Sequence, residues 1–468
     1  MIHKIGKYLP AIERPTYKPS FNSRLMWTGV ALICYLVLSH ITVYGIQKTP
    51  QIEALITIQT LLGARFGSLM TLGIGPIVTA GIILQLLVGS KIIDWDTTKP
   101  EDRKKFQTWN KFLAVLFCFL EAIAFVLAGS FPIQGGIITI IFVILQLAAG
   151  GIIVLLLDEL ISKWGFGSGI SLFIAAGVAT QIVIGALSFL SLPTPTLTNP
   201  GPFVGLLWNF IYHILSNNTY LALVCFIPLL ATAIIFILVV YVQGISIDIP
   251  LTFTALRGFG RSWSLKLLYT SNIPVILAAA LLANLQLMSR VGVSPGSCGL
   301  LGCLDENGRP ISGVAYFLSP PRNLLSSFLA LFFPQATTTF SFNEILRALI
   351  YLTYMIFACM IFSIFWINTS GMDPASVAEQ IESIGMHIPG YRSDKRTMEA
   401  VLERYIPALA VLGGIVVGLL AAFADFLGAL GSGTGMLLTV MIIYNYYEQL
   451  RAERLEEAHP IVRKIIGE

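Results

Sequence analysis

Few polar side chains that could do chemistry lie inside the apolar part of this chain. Glu121, in Phe119-Leu120-Glu121-Ala122, is the one charged residue well inside a long apolar run. A buried carboxyl needs hydrogen-bond donors, and Thr79 and Asn284 in two other runs are the natural partners. The residues leave two interpretations open: a protonated or hydrogen-bonded glutamate at a helix–helix contact, or a polar member of an interface that moves. A proton relay is a weaker interpretation, because it needs a chain of such groups.

Motifs of soluble enzymes are missing from the sequence. It contains no Walker A motif and no His-Glu-x-x-His, and its five histidines show no metal-ligand spacing. Gly165-Phe166-Gly167-Ser168-Gly169 is rich in glycine but follows an apolar run and lacks the lysine of a phosphate-binding loop. The sequence therefore predicts no enzymatic activity, no cofactor and no metal site.

Composition explains where these few polar groups must lie. Of 468 residues, 56% are hydrophobic and 12% are charged, about half the roughly 25% that soluble domains carry. The mean hydropathy is +0.80. So few charges cannot cover the surface of a water-soluble fold. The apolar runs are unbroken rather than alternating, which indicates a helical membrane protein and not a barrel.

Ten apolar runs are candidates for helices that cross a bilayer, which takes about 20 apolar residues. They are 25–46, 72–90, 112–131, 137–161, 170–192, 220–243, 272–289, 344–367, 405–424 and 434–447. Two further runs, 203–215 and 324–333, are too short to span and predict surface-lying or re-entrant pieces. The predicted fold class is therefore an all-α polytopic membrane protein.

Lysine and arginine set the orientation of these spans. Alternate loops, together with the two terminal segments, hold 23 of the 29 positive residues, and the opposite loops hold 6. Because positive residues concentrate on the cytoplasmic side, both termini are predicted to be cytoplasmic. The N-terminal segment 1–24 is polar and is not expected to be a cleavable signal. The C-terminal tail is 448–468.

Ten spans divide into five and five, and an odd number gives two homologous halves opposite topology. The predicted halves are 25–192 and 220–447, joined by an external connection at 193–219. Gly75-Pro76-Ile77-Val78 in span 2 resembles Ile273-Pro274-Val275-Ile276 in span 7. Gly167-Ser168-Gly169-Ile170 in span 5 resembles Gly431-Ser432-Gly433-Thr434 in span 10. Chance similarity of apolar segments is the alternative to a repeat.

If the repeat is real, spans 2, 5, 7 and 10 surround its pseudo-symmetry axis. Their candidate lining is aliphatic and repeats at helical spacing: Ile74, Val78, Ile170, Ile174, Ile273, Ile276 and Leu438. One interpretation is ordinary core packing. The other is an aliphatic ring at the centre, which excludes water and ions yet spreads around varied side chains.

Two segments predicted to be external carry further features. Residues 51–68 follow span 1 and form a moderately hydrophobic, helix-like stretch. That stretch is either a surface amphipathic helix or a short helix folded into the external mouth. The long external loop 290–343 contains Cys298 and Cys303, whose proximity and external position permit a disulfide.

Two cytoplasmic loops, 244–271 and 368–404, are long for a compact bundle and carry basic residues. The first loop contains Arg257, Arg261 and Lys266, and the second contains Arg392, Lys395 and Arg396. These charges either only set the topology or form a docking surface for an anionic partner, with RNA phosphate the obvious candidate. The lengths of the loops favour docking.

Taken together, the motifs resemble the SecY family, the central subunits of the Sec protein-conducting channel, in its archaeal form. The resemblance rests on residues 74–81 and 271–277, on Pro389-Gly390-Tyr391-Arg392 and on Gly431-Ser432-Gly433-Thr434-Gly435. These motifs lie in both halves and in one loop, so the likeness covers the whole chain. The resemblance implies a clam-like channel of two five-helix halves. Such a channel opens across the membrane for secreted chains and sideways for membrane segments.

The resemblance also implies roles for individual residues. The seven aliphatic residues become a pore ring, and Thr79, Glu121 and Asn284 become a polar cluster in a lateral gate between spans 2–3 and 7–8. Residues 51–68 become a plug with apolar positions Ile52, Ile56, Leu61, Leu62 and Phe66. The two basic loops become ribosome contacts, with Arg392 as the matching arginine.

Several partners and a location follow from the same resemblance. SecE-type and small beta-type single-span subunits, the ribosome, nascent and signal-sequence-bearing polypeptides and the lipid bilayer are expected partners. A multi-pass location in the cell membrane is expected, and the channel itself is passive. The rival function is an inverted-repeat secondary transporter for a small substrate, against which the near-absence of charge within the spans argues.

Overall fold

The computed structural model describes most of the chain. The described residues are 10–17, 19–46, 67–95, 99–127, 133, 136–190, 201–253, 260–290, 293, 296–299, 301–305, 310–321, 324, 342–383, 386–387 and 395–458. The plug-like positions Ile52, Ile56, Leu61, Leu62 and Phe66 lie outside these residues, as do Arg257, Arg392 and all of 325–333.

Helices dominate the described residues. Those up to residue 215 are α1 (Phe21–Leu38), α2 (Gly75–Gly89), α3 (Pro100–Leu127), α4 (Ile137–Trp164), α5 (Gly169–Leu187) and α6 (Leu206–Leu215). Those that follow are α7 (Thr219–Gln243), α8 (Ile273–Met288), α9 (Val314–Leu318), α10 (Phe342–Ser370), α11 (Pro374–Ser383), α12 (Lys395–Phe426) and α13 (Gly433–Ala458). Each of the ten predicted spans falls on one of them, which confirms the helical membrane class.

Seven of these helices are long and apolar enough to cross a membrane on their own. Of the other three predicted spans, α13 is apolar only in its first half, and α2 and α8 have 15 and 16 residues. At about 1.5 Å per residue, α2 and α8 are about 22–24 Å long, less than the roughly 30 Å hydrocarbon core. Most of their residues are buried, so protein surrounds them.

The boundaries of several predicted spans differ from those of the helices. Helix α1 begins four residues before position 25 and ends at Leu38 rather than 46. Ser39 ends it, because its hydroxyl and the ring of His40 both hydrogen-bond to the carbonyl of Leu36. Helix α12 begins ten residues before position 405, since its first turns bury apolar side chains in a cluster with residues of the two long loops.

The described parts of the two long loops that the sequence predicts to be cytoplasmic contain regular secondary structure, which the sequence did not predict. Strands β1 (Ser246–Phe253) and β2 (Gly260–Lys266) form an antiparallel hairpin from the first loop. The second loop contains α11, the start of α12 and strand β5 (Met386–His387), which pairs with β1. Beneath the sheet lies a separate core that includes Ile249, Leu265, Ile381 and Leu402.

Geometry at the predicted repeat positions agrees between the two halves. Pro76 is the second residue of α2, and Pro274 is the second residue of α8. The residues before these helices, Ile74 and Asn272, have nearly the same backbone angles, φ −87° and ψ −4° against φ −86° and ψ −8°. Both prolines therefore begin a helix, where a missing N–H costs no hydrogen bond.

Candidate functional site

The seven aliphatic residues of the predicted ring all lie where four helices begin. Each one is either the residue before α2, α5, α8 or α13 or one of the first six residues of that helix. All seven belong to one hydrophobic cluster. Ile74, Val78, Ile174, Ile276 and Leu438 are buried members, whereas Ile170 and Ile273 are partly buried and pack against it.

This convergence follows from the two kinds of helix start. Helices α2 and α8 start at a proline that fixes the first turn. Helices α5 and α13 follow Gly-Ser-Gly turns, in which Gly167 and Gly431 have positive φ angles of 64° and 76°. Glycine adopts this left-handed conformation without steric cost. The four starts therefore bring branched aliphatic side chains, without polar atoms, to one place in the core.

Polar residues Thr79, Glu121 and Asn284 form a hydrogen-bonded chain beside this cluster. The amide Nδ2 of Asn284 donates to Oγ1 of Thr79 at 2.9 Å, and that hydroxyl lies 2.8 Å from Oε1 of Glu121 as a donor. The Thr79 hydroxyl also lies 2.9 Å from the carbonyl of Gly75. Glu121 is 7% exposed. The side chains that the sequence pairs on residue type alone are therefore in contact.

The polar chain joins the two halves of the molecule. Glu121 is on α3 and Thr79 is on α2, whereas Asn284 is on α8 in the second half. Helix α8 packs against both α2 and α3, and α10 packs against α2. These helices are the spans 2–3 and 7–8 between which the predicted gate lies. Separating them breaks the hydrogen bond between Asn284 and Thr79.

A second buried polar group was missed by sequence reasoning. Asp425, at the end of α12, is 6% exposed and accepts hydrogen bonds from the hydroxyls of Tyr351 at 2.6 Å and of Thr434. Asp425 lies one residue beyond the predicted span 405–424 and is not among the predicted site residues. An aspartate directly after an apolar span was the available signal, because a carboxylate that becomes buried needs donors such as the free N–H groups of a helix start.

The segments on either side of the predicted plug are held together. Thr42 and Ser68 form an antiparallel bridge, and Val43 donates to the carbonyl of Gly67 at 3.0 Å. Leu69 donates to the carbonyl of Ile41 at 2.9 Å. These contacts hold residues 41–43 beside residues 67–69, which are described residues near the two ends of the predicted plug.

In the two loops predicted to be cytoplasmic, the structure describes only some of the predicted basic residues in full. Lys266, at the end of β2, forms an ion pair with Glu448 of α13 and lies 5.4 Å from the centre of the Tyr444 ring. Arg396 is exposed at the start of α12. The backbone of Arg261 lies in β2 and that of Lys395 begins α12. Nearby, burial and the charge of Asp373 raise the pKa of Tyr269 to about 12.

In the loop that the sequence predicts to be external, Cys298 and Cys303 are joined by a disulfide. They pair directly across a short hairpin of strands β3 (Cys298–Gly299) and β4 (Gly302–Cys303). Gly302, the first residue of β4, has φ 140°, a backbone conformation that glycine adopts without steric cost. The hairpin packs close to α9, since Ala315 donates to the carbonyl of Leu301 at 3.2 Å.

Comparisons with known proteins agree with this architecture. The family model SecY matches residues 68–447. The "Protein translocase subunit SecY" of Pyrococcus furiosus is 42% identical, with 100% of this chain and 99% of the relative covered. A solved structure described as "The structure of a protein conducting channel" superposes with a TM-score of 0.83 at 41% identity, covering 98% of this chain and 99% of that one.

A second solved structure extends the comparison to a ribosome-bound channel. "Sec61 in the Canine ribosome-channel complex from the endoplasmic reticulum" superposes with a TM-score of 0.80 at 41% identity, covering 98% of this chain and 99% of that one. The family model and these relatives cover most or all of the chain. The chain belongs to the SecY family of protein translocase subunits.

Proposed function

We propose that this chain is the central pore-forming subunit of a Sec translocon. It is a passive, protein-conducting channel that moves secretory polypeptides across the membrane and releases transmembrane segments sideways into it. The observation that carries this proposal is the cluster of seven aliphatic residues at the starts of α2, α5, α8 and α13. The structural relative described as a protein-conducting channel supports the same function.

The chemistry of the ring suits a varied substrate. Branched aliphatic side chains exclude water and ions when they pack together, because an apolar constriction dewets. They make no directional bonds, so any polypeptide side chain passes them with similar contacts. Since four helices supply the ring, it widens when those helices move apart. A ribosome or another motor supplies the driving energy.

The gate and the plug complete the proposal. The boundary of α2 and α3 with α8 and α10 opens sideways, and the chain of Asn284, Thr79 and Glu121 stabilises its closed state. Residues 51–68 close the external mouth as a plug. The bridge between Thr42 and Ser68 supports this role, because it holds the end of the segment beside the residues that follow α1. Partner subunits of the SecE type and the small beta type bind to the outer helices.

Crosslinking of a stalled substrate tests the pore directly. A photoreactive residue at Ile174 will crosslink to a secretory polypeptide stalled during translocation, because Ile174 is in the ring. A photoreactive residue at Ile184, which is 50% exposed on the same helix, is the matched control and will crosslink to lipid instead. Equal crosslinking of the polypeptide at both positions, or none at either, rejects the pore and favours a small-substrate transporter.

A charge reversal tests the proposed ribosome contact. Arg392→Glu will weaken binding of ribosomes to the reconstituted channel. If one phosphate contact is lost, the slope of log affinity against log salt concentration becomes shallower by about one unit. Arg103→Glu reverses an exposed cytoplasmic charge at the start of α3 and serves as control. Equal affinities for both variants and the unmodified protein, measured by co-sedimentation, remove Arg392 from the docking surface.

A further inference from the structure

Two aspartates occupy equivalent places in the two halves. Asp158, on the last turns of α4, accepts a hydrogen bond from the backbone N–H of Ile170 at 2.9 Å. Asp425, at the end of α12, accepts from the N–H groups of Gly433 at 2.8 Å and Thr434 at 3.2 Å. In each half, a carboxylate on the fourth predicted span caps the start of the fifth span.

Register supports this equivalence. The repeat that the sequence predicts aligns Gly169-Ile170 with Gly433-Thr434, and these are the positions that the two carboxylates cap. The connecting turns differ in length, since Asp158 precedes Ile170 by 12 residues and Asp425 precedes Thr434 by 9. A comparison of the sequences without gaps therefore cannot align the two aspartates.

Both caps depend on a close approach of two backbones. A Cβ atom at Gly169 would lie 2.6 Å from Cα of Asp158, and one at Gly433 would lie 2.1 Å from the backbone nitrogen of Asp425. Real Cβ atoms are essentially never this close to another heavy atom. The two glycines thus let the preceding helix end sit directly on the start of the next helix.

Asp425 also holds a third helix. Its second oxygen, Oδ2, accepts from the hydroxyl of Tyr351 on α10 at 2.6 Å and from the hydroxyl of Thr434. Hydrogen bonds that a carboxylate accepts are stronger than those between neutral groups. Both oxygens are therefore engaged, and α10, α12 and α13 are tied together at the start of α13.

These starts carry the pore ring. Asp158 accepts its hydrogen bond from the N–H group of Ile170, which is a ring residue. Ile174, another ring residue, follows one turn later on α5. Leu438 lies in the second turn of α13, four residues after Thr434. If the first turn of either helix frays, its aliphatic side chain moves relative to the rest of the ring.

We infer that Asp158 and Asp425 are repeat-related positioning residues that hold α5 and α13 in register and keep the aliphatic ring sealed. This inference rests on the proposed function of the pore. It adds that the seal depends on two polar caps outside the ring as well as on the ring side chains.

Ion leakage through the idle channel tests this role. The full chain, with the subunits that co-purify with it, is reconstituted into planar bilayers as Asp158→Ala and Asp425→Ala variants. Asp373→Ala is the matched control, because Asp373 also caps a helix, accepting from the N–H of Ser376 at 3.2 Å at the start of α11, far from the ring in sequence. Melting temperatures are measured in parallel.

We expect a several-fold rise in idle conductance for Asp158→Ala and Asp425→Ala, comparable with that of Ile174→Gly. Asp373→Ala will lower the melting temperature but leave the bilayer tight. If all three aspartate variants lose stability and none leaks, the carboxylates are ordinary helix caps and the inference is overturned. If Ile174→Gly itself does not leak, the ring assignment is overturned instead.

Conservative variants keep the test decisive if an alanine variant fails to assemble. Asp158→Asn retains the Oδ1 acceptor for Ile170, and we expect it to seal like the unmodified protein. Asp425→Asn retains Oδ1 for the N–H groups of Gly433 and Thr434. Its amide N–H groups donate to the hydroxyl oxygens of Tyr351 and Thr434 once those hydroxyls rotate. We therefore expect Asp425→Asn to seal like the unmodified protein as well. An asparagine variant that folds but leaks as much as the corresponding alanine variant contradicts the proposed geometry.

Discussion

The triple substitution of glycine for Ile74, Ile174 and Ile276 will make membranes that contain this channel leak ions. The three residues are 1%, 0% and 8% exposed and come from α2, α5 and α8. Removing their branched side chains leaves a gap on the axis, into which water and ions enter because the constriction no longer dewets. The expected readout is a continuous conductance in planar bilayers without any translocating polypeptide.

The alternative interpretation, ordinary core packing, makes a different prediction for the same variant. Truncation of a large aliphatic residue in a packed core costs about 2–5 kcal/mol per site. Three such losses exceed the stability of many domains, which is about 5–15 kcal/mol. A core role thus predicts a protein that does not assemble, whereas residues that border a pore lose fewer contacts and leave a folded, leaking channel.

A matched control separates leakage from damage to helices. Ile141, Ile184 and Ile237 lie on α4, α5 and α7 and are 52%, 50% and 68% exposed. Their replacement by glycine also lowers helix propensity, by less than about 1 kcal/mol per site, without touching the ring. The proposed ring is excluded if a bilayer that contains the ring variant does not conduct ions, or if the control variant conducts as much as the ring variant.

Asn284→Ala will shift the channel toward its open state. Its hydrogen bond to Thr79 joins α8 to α2, and the bond is present only while the two halves are together. A hydrogen bond of this kind contributes about 0.5–1.5 kcal/mol net, which corresponds to roughly a twofold to tenfold change in an equilibrium constant. Single-channel recordings should therefore show an open probability raised by about that factor.

A buried hydrogen bond within one half provides the control. Thr270 and Ser363 share a hydrogen bond of 2.9 Å between the segment that precedes α8 and helix α10, both in the second half. Thr270→Val removes that bond and lowers stability, but the bond does not join the halves, so the open probability should not change. An unchanged open probability in Asn284→Ala, or an equal change in both variants, rejects a gating role for the polar chain.

Much of the candidate site was predictable from local sequence. The pairs Ile74 with Val78 and Ile170 with Ile174 are four residues apart, and helical periodicity places such pairs on one face. An isolated buried carboxyl is energetically costly, so the side chain of Glu121 needs hydrogen-bond donors. This requirement limits its partners to the few polar residues in the other apolar runs. These arguments use only helical periodicity, the cost of burying a carboxyl group and the predicted repeat of the two halves.

The elements within the two long loops were not predictable in the same way. The β1–β2 hairpin and the first turns of α12 form a core in which Leu265 and Leu402 are almost fully buried. Each element alone is short and only partly apolar, so neither has a strong periodic signal. Their structure depends on burial against one another, which is a property of the folded chain.

The apolar runs and the distribution of lysine and arginine by themselves determined the membrane class, the span positions and the predicted orientation. This was so because lipid requires each spanning segment to satisfy its own backbone and to be apolar along its length. Only the tertiary structure decided which helix starts meet, that Asn284 reaches Glu121 through Thr79, and that Asp158 and Asp425 cap equivalent helices. Those contacts join residues that turns of unequal length or whole helices separate, and their geometry exists only after the helices have packed.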